Sequence, residues 1–127
     1  MKLQADRMEG TNAIARHSAE GVIVNNVEYR ESLLVPWKGA VVPWAVRDFT
    51  QLDEARFADI AALAPELVVF GSGARIRFPK PAWLAPLISR RIGIETMDTA
   101  AACRTYNVLL GEGRSVVAAL LFELREG

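Results

Sequence analysis

Leu67-Val68-Val69-Phe70-Gly71-Ser72-Gly73 sets four consecutive apolar residues against a glycine-rich turn. A short run without polar alternation is the mark of a strand covered on both faces. Its neighbours decide the fold class. Upstream, Asp53–Ala64 carries Phe57, Ile60, Ala61 and Ala64 on one stripe and Asp53, Glu54, Arg56 and Asp59 largely elsewhere, with Pro65 after it. That spacing predicts an amphipathic helix that stops at the proline. Downstream, Pro79 and Pro81 introduce a second helix through about Arg91, with Leu84, Leu87, Ile88 and Ile92 at helical spacing. Pro86 interrupts it, so the helix either kinks or starts there. Gly93 fits the C′ position. Ile94–Met97 is a strand, Asp98 the N-cap of a third helix reaching about Leu110, and Gly111 and Gly113 close that helix. Val116–Leu124 is the last strand, buried along most of its length. The alternation of helix and strand favours helices packed on a largely parallel or mixed sheet, an α/β fold.

The first 46 residues read differently. Ala13–Ser18 and Val22–Val24 are short strands separated by Ala19-Glu20-Gly21, and Asn25-Asn26 is a dipeptide suited to a left-handed turn. From Val27 to Lys38, odd positions (Val27, Tyr29, Glu31, Leu33, Val35, Trp37) alternate with even ones (Glu28, Arg30, Ser32, Leu34, Pro36, Lys38). Period two predicts one strand with one buried face. After Gly39, Ala40–Val46 reads as another strand, and Pro43 places it at a sheet edge. The whole stretch is expected to be a β-meander, and residues 1–127 to form a single domain.

Composition narrows the function classes. Of the 127 residues, 51% are hydrophobic and 24% charged, which is globular and large enough to bury an ordinary core. Lys and Arg balance Asp and Glu at 15 each. Zero formal charge argues against nucleic acid as a partner, although Arg75, Arg77 and Lys80, or Arg90–Arg91, could form local basic patches. Cys103 is the only cysteine, so no internal disulfide forms and a reducing, cytoplasmic setting is expected. Met1–Arg7 has no apolar leader region, and no apolar run approaches the roughly 20 residues of a membrane helix. An integral membrane protein is not expected.

No residue set forms a defensible catalytic site. Gly71-Ser72-Gly73 follows a buried strand, where backbone amides often meet ligands. Yet the dinucleotide fingerprint, the P-loop and the nucleophile elbow are all missing, so Ser72 is not expected to attack anything. Gly71, Ser72, Gly73 and Arg75, with the helix start at Asp98 and Thr99, are the candidate crevice for an anion or small ligand. A plain tight turn and a capping Asp98 are the structural alternative. Ala102, Cys103, Tyr106, Leu109 and Leu110 form the packing face of the third helix, and Arg104 and Asn107 are neighbours on another side. Cys103 among alanines is expected to be a buried, inert thiol. His17 lies far from it in sequence, so no metal-ligand pattern arises and no metal or cofactor is expected. Glu95, Glu112 and Glu123 are expected in ion pairs or solvent. Pro36-Trp37 and Pro43-Trp44 repeat one step, and Trp83 follows Pro81. Trp37 and Trp44 therefore stand as a candidate partner surface, against the reading that they cap the ends of a small core.

Thr99-x-x-Ala102-x-Arg104-Thr105-Tyr106-Asn107-x-Leu109-x-x-Glu112-x-Arg114-x-Val116 resembles a widespread family of small uncharacterised proteins. Its mitochondrial branch is the NADH dehydrogenase (complex I) assembly factor 3 group. Gly93-Ile94-Glu95-x-Met97-Asp98-Thr99, the Gly71-x-Gly73 loop and Trp44 match the same pattern, and this chain looks like a bacterial member. The resemblance implies one compact domain in three layers: a central mixed sheet, helices, and an extra β-layer from the N-terminal hairpins. It also implies a non-enzymatic, protein-binding role in assembling a larger complex, membrane complexes included, without a cofactor. Thr99, Arg104, Asn107, Glu112 and Arg114 would then be structural, in a buried polar network. A ligand-binding protein using the Gly71–Gly73 crevice is the alternative, and self-association is compatible with either.

Overall fold

The computed structural model describes residues 10–123. Met1–Arg7, on which the leader expectation rests, and Leu124, the expected end of the last strand, lie outside them. Eight strands and three α-helices follow in chain order: β1 (Ile14–His17), β2 (Val22–Val24), β3 (Val27–Tyr29), β4 (Leu33–Pro36), β5 (Val42–Pro43), α1 (Glu54–Ala61), β6 (Leu67–Gly71), α2 (Ala85–Ser89), β7 (Gly93–Met97), α3 (Thr99–Gly111) and β8 (Val116–Leu120).

The strands form two sheets, one ordered β1-β2-β3 and one ordered β5-β4-β8-β6-β7. In the larger sheet β6 runs parallel to β7 and β8, while β4 runs antiparallel to β8 and β5. The expected mixed sheet is therefore the core of the molecule. Its faces carry different layers. Val69, Ala118 and Leu120 pack with Ala102, Cys103 and Tyr106 of α3 and with Ile14, Val22 and Val24 of the small sheet. Val68, Phe70 and Ala119 pack on the other side with Phe57 and Ile60 of α1 and Leu87 of α2. Helices and an N-terminal β-layer thus enclose one mixed sheet, the three-layer α/β architecture.

Local chemistry explains the element ends. Asp53 and Asp98 cap α1 and α3, accepting from the amides of Arg56 and Ala101 at 2.9 and 2.8 Å. Ala64 takes a left-handed φ of 54° before Pro65, which ends the α1 segment. Asn25 and Asn26 both have positive φ between paired Val24 and Val27, the two-residue hairpin turn the dipeptide suggested.

Five expectations fail here. The N-terminal region is not one meander, because the alternation from Val27 to Trp37 is split between β3 in the small sheet and β4 in the large one. Leu33 to Pro36 are buried on both faces, since β4 lies between the layers, so one-sided alternation does not apply. Only Val42–Pro43 of Ala40–Val46 forms a strand, at the sheet edge. Gly93 begins β7 rather than ending α2. The left-handed residue after α2 is Arg91, with φ 58°. Pro81–Leu84 forms a 3-10 turn and Pro86 sits in the first turn of α2, so the helix starts at the proline instead of kinking there. The last strand is shorter than expected, with Leu121 and Phe122 buried beyond it.

Phe57 anchors the helical side. It meets Trp44 and Phe70 edge-on at 6.0 and 5.5 Å between centroids, and stacks on Trp83 at 6.2 Å. Phe57→Ala is expected to lower the unfolding free energy by about 3–5 kcal/mol, read as a shifted urea midpoint. A loss below about 1 kcal/mol would mean that this cluster is not a close-packed core.

Candidate functional site

The residues singled out as a crevice meet where β6 leaves the sheet beside the first turn of α3. A Cβ on Gly71 would lie 2.8 Å from the Thr99 Cα and 3.0 Å from the Ala102 Cβ, so glycine lets α3 seat against the strand. Ser72 is fully buried. Its hydroxyl lies 2.9 Å from the Arg75 carbonyl and 3.2 Å from that of Met97, and accepts from the Arg77 amide at 2.8 Å. The Arg77 guanidinium folds back onto the Ser72 carbonyl at 2.6 Å and pairs with Glu123 at 2.6 Å. Thr99 closes the seam. Its Oγ1 accepts from the Gly73 amide at 2.8 Å and donates to the Leu121 carbonyl at 2.9 Å, and its amide donates to the Gly73 carbonyl at 2.8 Å.

The protein itself therefore uses the donors that a ligand would need. Gly73, Asp98 and Thr99 do line a cleft of about 720 Å³, opposite the β1–β2 turn and beside Leu121–Glu123. Gly71, Ser72 and Arg75 do not line it. Glu20, Asp98, Glu123 and His17 are among the residues that line this cleft, but the Asp98 carboxylate caps Ala101 and that of Glu123 pairs with Arg77 and accepts from the Phe49 amide.

Cys103 is fully buried against the sheet, and desolvation pushes its thiol up to about 12, against a smaller lowering by the Arg104 charge. A thiolate is thus disfavoured, as expected of an inert cysteine. Tyr106 is also fully buried, and burial raises its phenol. Its hydroxyl lies 2.7 Å from the Asn12 carbonyl and 3.0 Å from that of Pro36, tying α3 to two segments. Sequence reading placed Tyr106 on the packing face without finding this role, because its partners are backbone atoms distant in the chain. Among the described residues, no three His, Cys, Asp or Glu side chains gather to hold a metal ion.

The motif residues divide into separate contacts rather than one buried network. At 3.6 residues per turn, Thr99, Ala102, Cys103, Tyr106 and Leu110 share the buried stripe of α3, and Arg104, Val108 and Glu112 fall opposite and are exposed. Asn107 flanks the stripe. Its amide accepts from Ile14 N at 3.0 Å and donates to Ile14 O at 2.7 Å, bracketing β1 as a neighbouring strand would. Arg114 pairs with Glu66 at 3.1 Å, and the Ser115 amide reaches the same carboxylate at 2.9 Å. The Ser115 amide first, and Arg114 after it, hold Glu66 below its ordinary value.

The tryptophans separate as well. Trp44 is only 3% exposed, and its indole N–H donates to the Arg56 carbonyl at 3.0 Å, so it belongs to the core and not to a partner surface. Trp37 is half-buried and packs against both core clusters. The pairing of Pro36 with Val117 and of Leu67 with Val116 puts Trp37 near one end of the sheet, opposite the Gly71–Thr99 seam. A further feature escaped the sequence reading: Ile76 and Phe78 are exposed, at 49% and 69%, on either side of the inward-turned Arg77. Their i, i+2 spacing was the available signal.

A family model described as "protein of unknown function (DUF498/DUF598)" matches residues 14–121. The chain belongs to this family. It is 36% identical over 111 residues to the NADH dehydrogenase (ubiquinone) 1 alpha subcomplex assembly factor 3 of Bos taurus, covering 85% of this chain and 59% of that protein. The chain thus spans about three fifths of this relative's length. A crystal structure from Bordetella parapertussis superposes with a TM-score of 0.83 at 34% identity, covering 88% of this chain and 96% of that one. A Bordetella pertussis protein described as an Mth938-like domain gives 0.80 at 30% identity, covering 97% and 93%. The fold is Mth938-like.

Gly71→Ala is expected to cost about 1–3 kcal/mol in urea unfolding, because the methyl group would press on backbone rather than on a movable side chain. An unchanged midpoint would show that the seam yields freely. Cys103 in the folded protein at pH 8 is expected to react with iodoacetamide at least about a hundredfold more slowly than in the unfolded chain. Rapid labelling without unfolding would contradict its burial.

Proposed function

We propose that this protein is a non-enzymatic, protein-binding module that assists assembly or biogenesis of a larger complex, a membrane complex included. The observation that carries this reading is kinship: relatives at 36% and 34% identity over 85% of the chain bear the name of a complex I assembly factor. The internal bonding of the seam supports it, since Ser72, Thr99 and Arg77 act there as structural donors and acceptors. The partner surface includes Trp37, which is half-buried, as are Val41 and Val42. Large aromatic rings of this kind dominate binding energy at protein interfaces. A cytoplasmic location is part of this proposal; separately, no helix among the described residues is long and apolar enough to cross a membrane.

The cleft lined by Gly73, Asp98 and Thr99 supports a second reading, a small-ligand protein. The acidic residues in its lining, Glu20 above all, favour an amine or neutral polar ligand over an anion.

The test is a cross-linked pull-down from native lysate, membranes included, with wild type and Trp37→Ala matched for folding. A stoichiometric partner held by wild type and weakened about tenfold or more in the variant is the expected result. Equal capture by both proteins removes Trp37 from the interface. Absence of any partner, together with an amine or neutral metabolite that shifts the melting temperature, would favour the cleft reading instead.

A further inference from the structure

The chain is neutral overall, but its charge is unevenly placed. Between Leu67 and Ile94 stand Arg75, Arg77, Lys80, Arg90 and Arg91, with no Asp or Glu among them. This cationic stretch contains the loop joining β6 to the 3-10 turn at Pro81–Leu84, and two of the largest exposed apolar side chains in the molecule. Phe78 is 69% exposed and Ile76 49%.

The loop is held rather than loose. Arg77 is drawn inward, bonded to the Ser72 carbonyl and paired with Glu123, and its guanidinium lies 4.7 Å from the Phe49 ring centroid. Pro79 is buried, and Lys80 Nζ lies 5.6 Å from the Trp83 ring centroid. Clamping Arg77 inward leaves its neighbours Ile76 and Phe78 exposed to solvent. The same ion pair neutralises Glu123, the carboxylate that touches the loop. Arg75 and Lys80 remain exposed on either side of the apolar pair.

We propose that residues 74–80 form a membrane-surface anchor, in which Ile76 and Phe78 enter the interfacial region of an anionic bilayer while Arg75 and Lys80 meet lipid phosphates. Two exposed apolar side chains between exposed cations suit an interface that is apolar below and anionic above. Each cation near an anionic surface adds to binding and loses effect in salt. Nucleic acid would match the cations but not the apolar pair. This anchor is independent of the Trp37 surface, which lies toward the other end of the sheet, so either assignment can fail alone.

The experiment is co-sedimentation of the purified protein with vesicles of phosphatidylglycerol and phosphatidylcholine, or of phosphatidylcholine alone. Wild type is expected to sediment with the anionic vesicles at low salt, to be released by about 0.5 M NaCl, and to ignore the neutral ones. Phe78→Ser is expected to weaken binding about tenfold or more, as loss of a buried apolar side chain requires. Arg75→Glu with Lys80→Glu is expected to abolish it. Both sites are exposed, and an unchanged urea midpoint verifies the fold. In a Phe78→Trp protein, added emission should shift to the blue on anionic vesicles.

Failure of wild type to sediment at low salt would overturn the anchor and leave the loop to an acidic protein partner. Binding that depends on Arg75 and Lys80 but is indifferent to Phe78→Ser would also overturn it, since adsorption would then be purely electrostatic.

Discussion

The hydroxyl of Thr99 ties three segments together at one point. It accepts from Gly73 just after β6, donates to Leu121 just after β8, and belongs to the first turn of α3. A buried hydroxyl is costly unless both its roles are filled, and here both are. Glycine at position 71 allows the close approach on which these bonds depend. With α3 fixed, Tyr106 reaches Asn12 and Pro36, and Asn107 reaches the backbone of Ile14. This helix thus adds a tie between the small sheet and the large one, beside their direct packing.

The same constraint explains why a region that looks like a ligand loop behaves as a lock. Glycines after a parallel strand expose backbone amides, and anion sites exploit those amides. Here the Gly73 amide points to Thr99, the Arg77 amide to Ser72, and the first-turn amide of Ala101 to Asp98.

Much of this was legible in the sequence. The apolar run at Leu67–Phe70, the caps at Asp53 and Asp98, and the stripe along α3 each follow from local periodicity and propensity. The long motif around Tyr106 and Asn107 carried the family. The errors arose where tertiary context overrides local pattern. Alternation from Val27 to Trp37 suggested one strand, but β4 is enclosed by two layers and buries both faces. Trp37 and Trp44 share a Pro-Trp step, yet only Trp44 meets Phe57 and Phe70. Helical spacing separated Arg104 and Glu112 from Thr99, so a shared motif did not mean a shared network. Periodicity also cannot tell a free amide from one already bonded to a distant side chain, as the Gly73 amide is to Thr99.

The central claim is that the Gly71–Thr99 region is an internal lock and not an open ligand loop. Native-state hydrogen exchange of the Gly73 and Arg77 amides tests it most directly. Protection of both close to that of the central β6 and β8 amides, with selective loss at Gly73 in Thr99→Val, is the predicted result. Exchange of both at the rate of exposed loop amides in the wild type would contradict it.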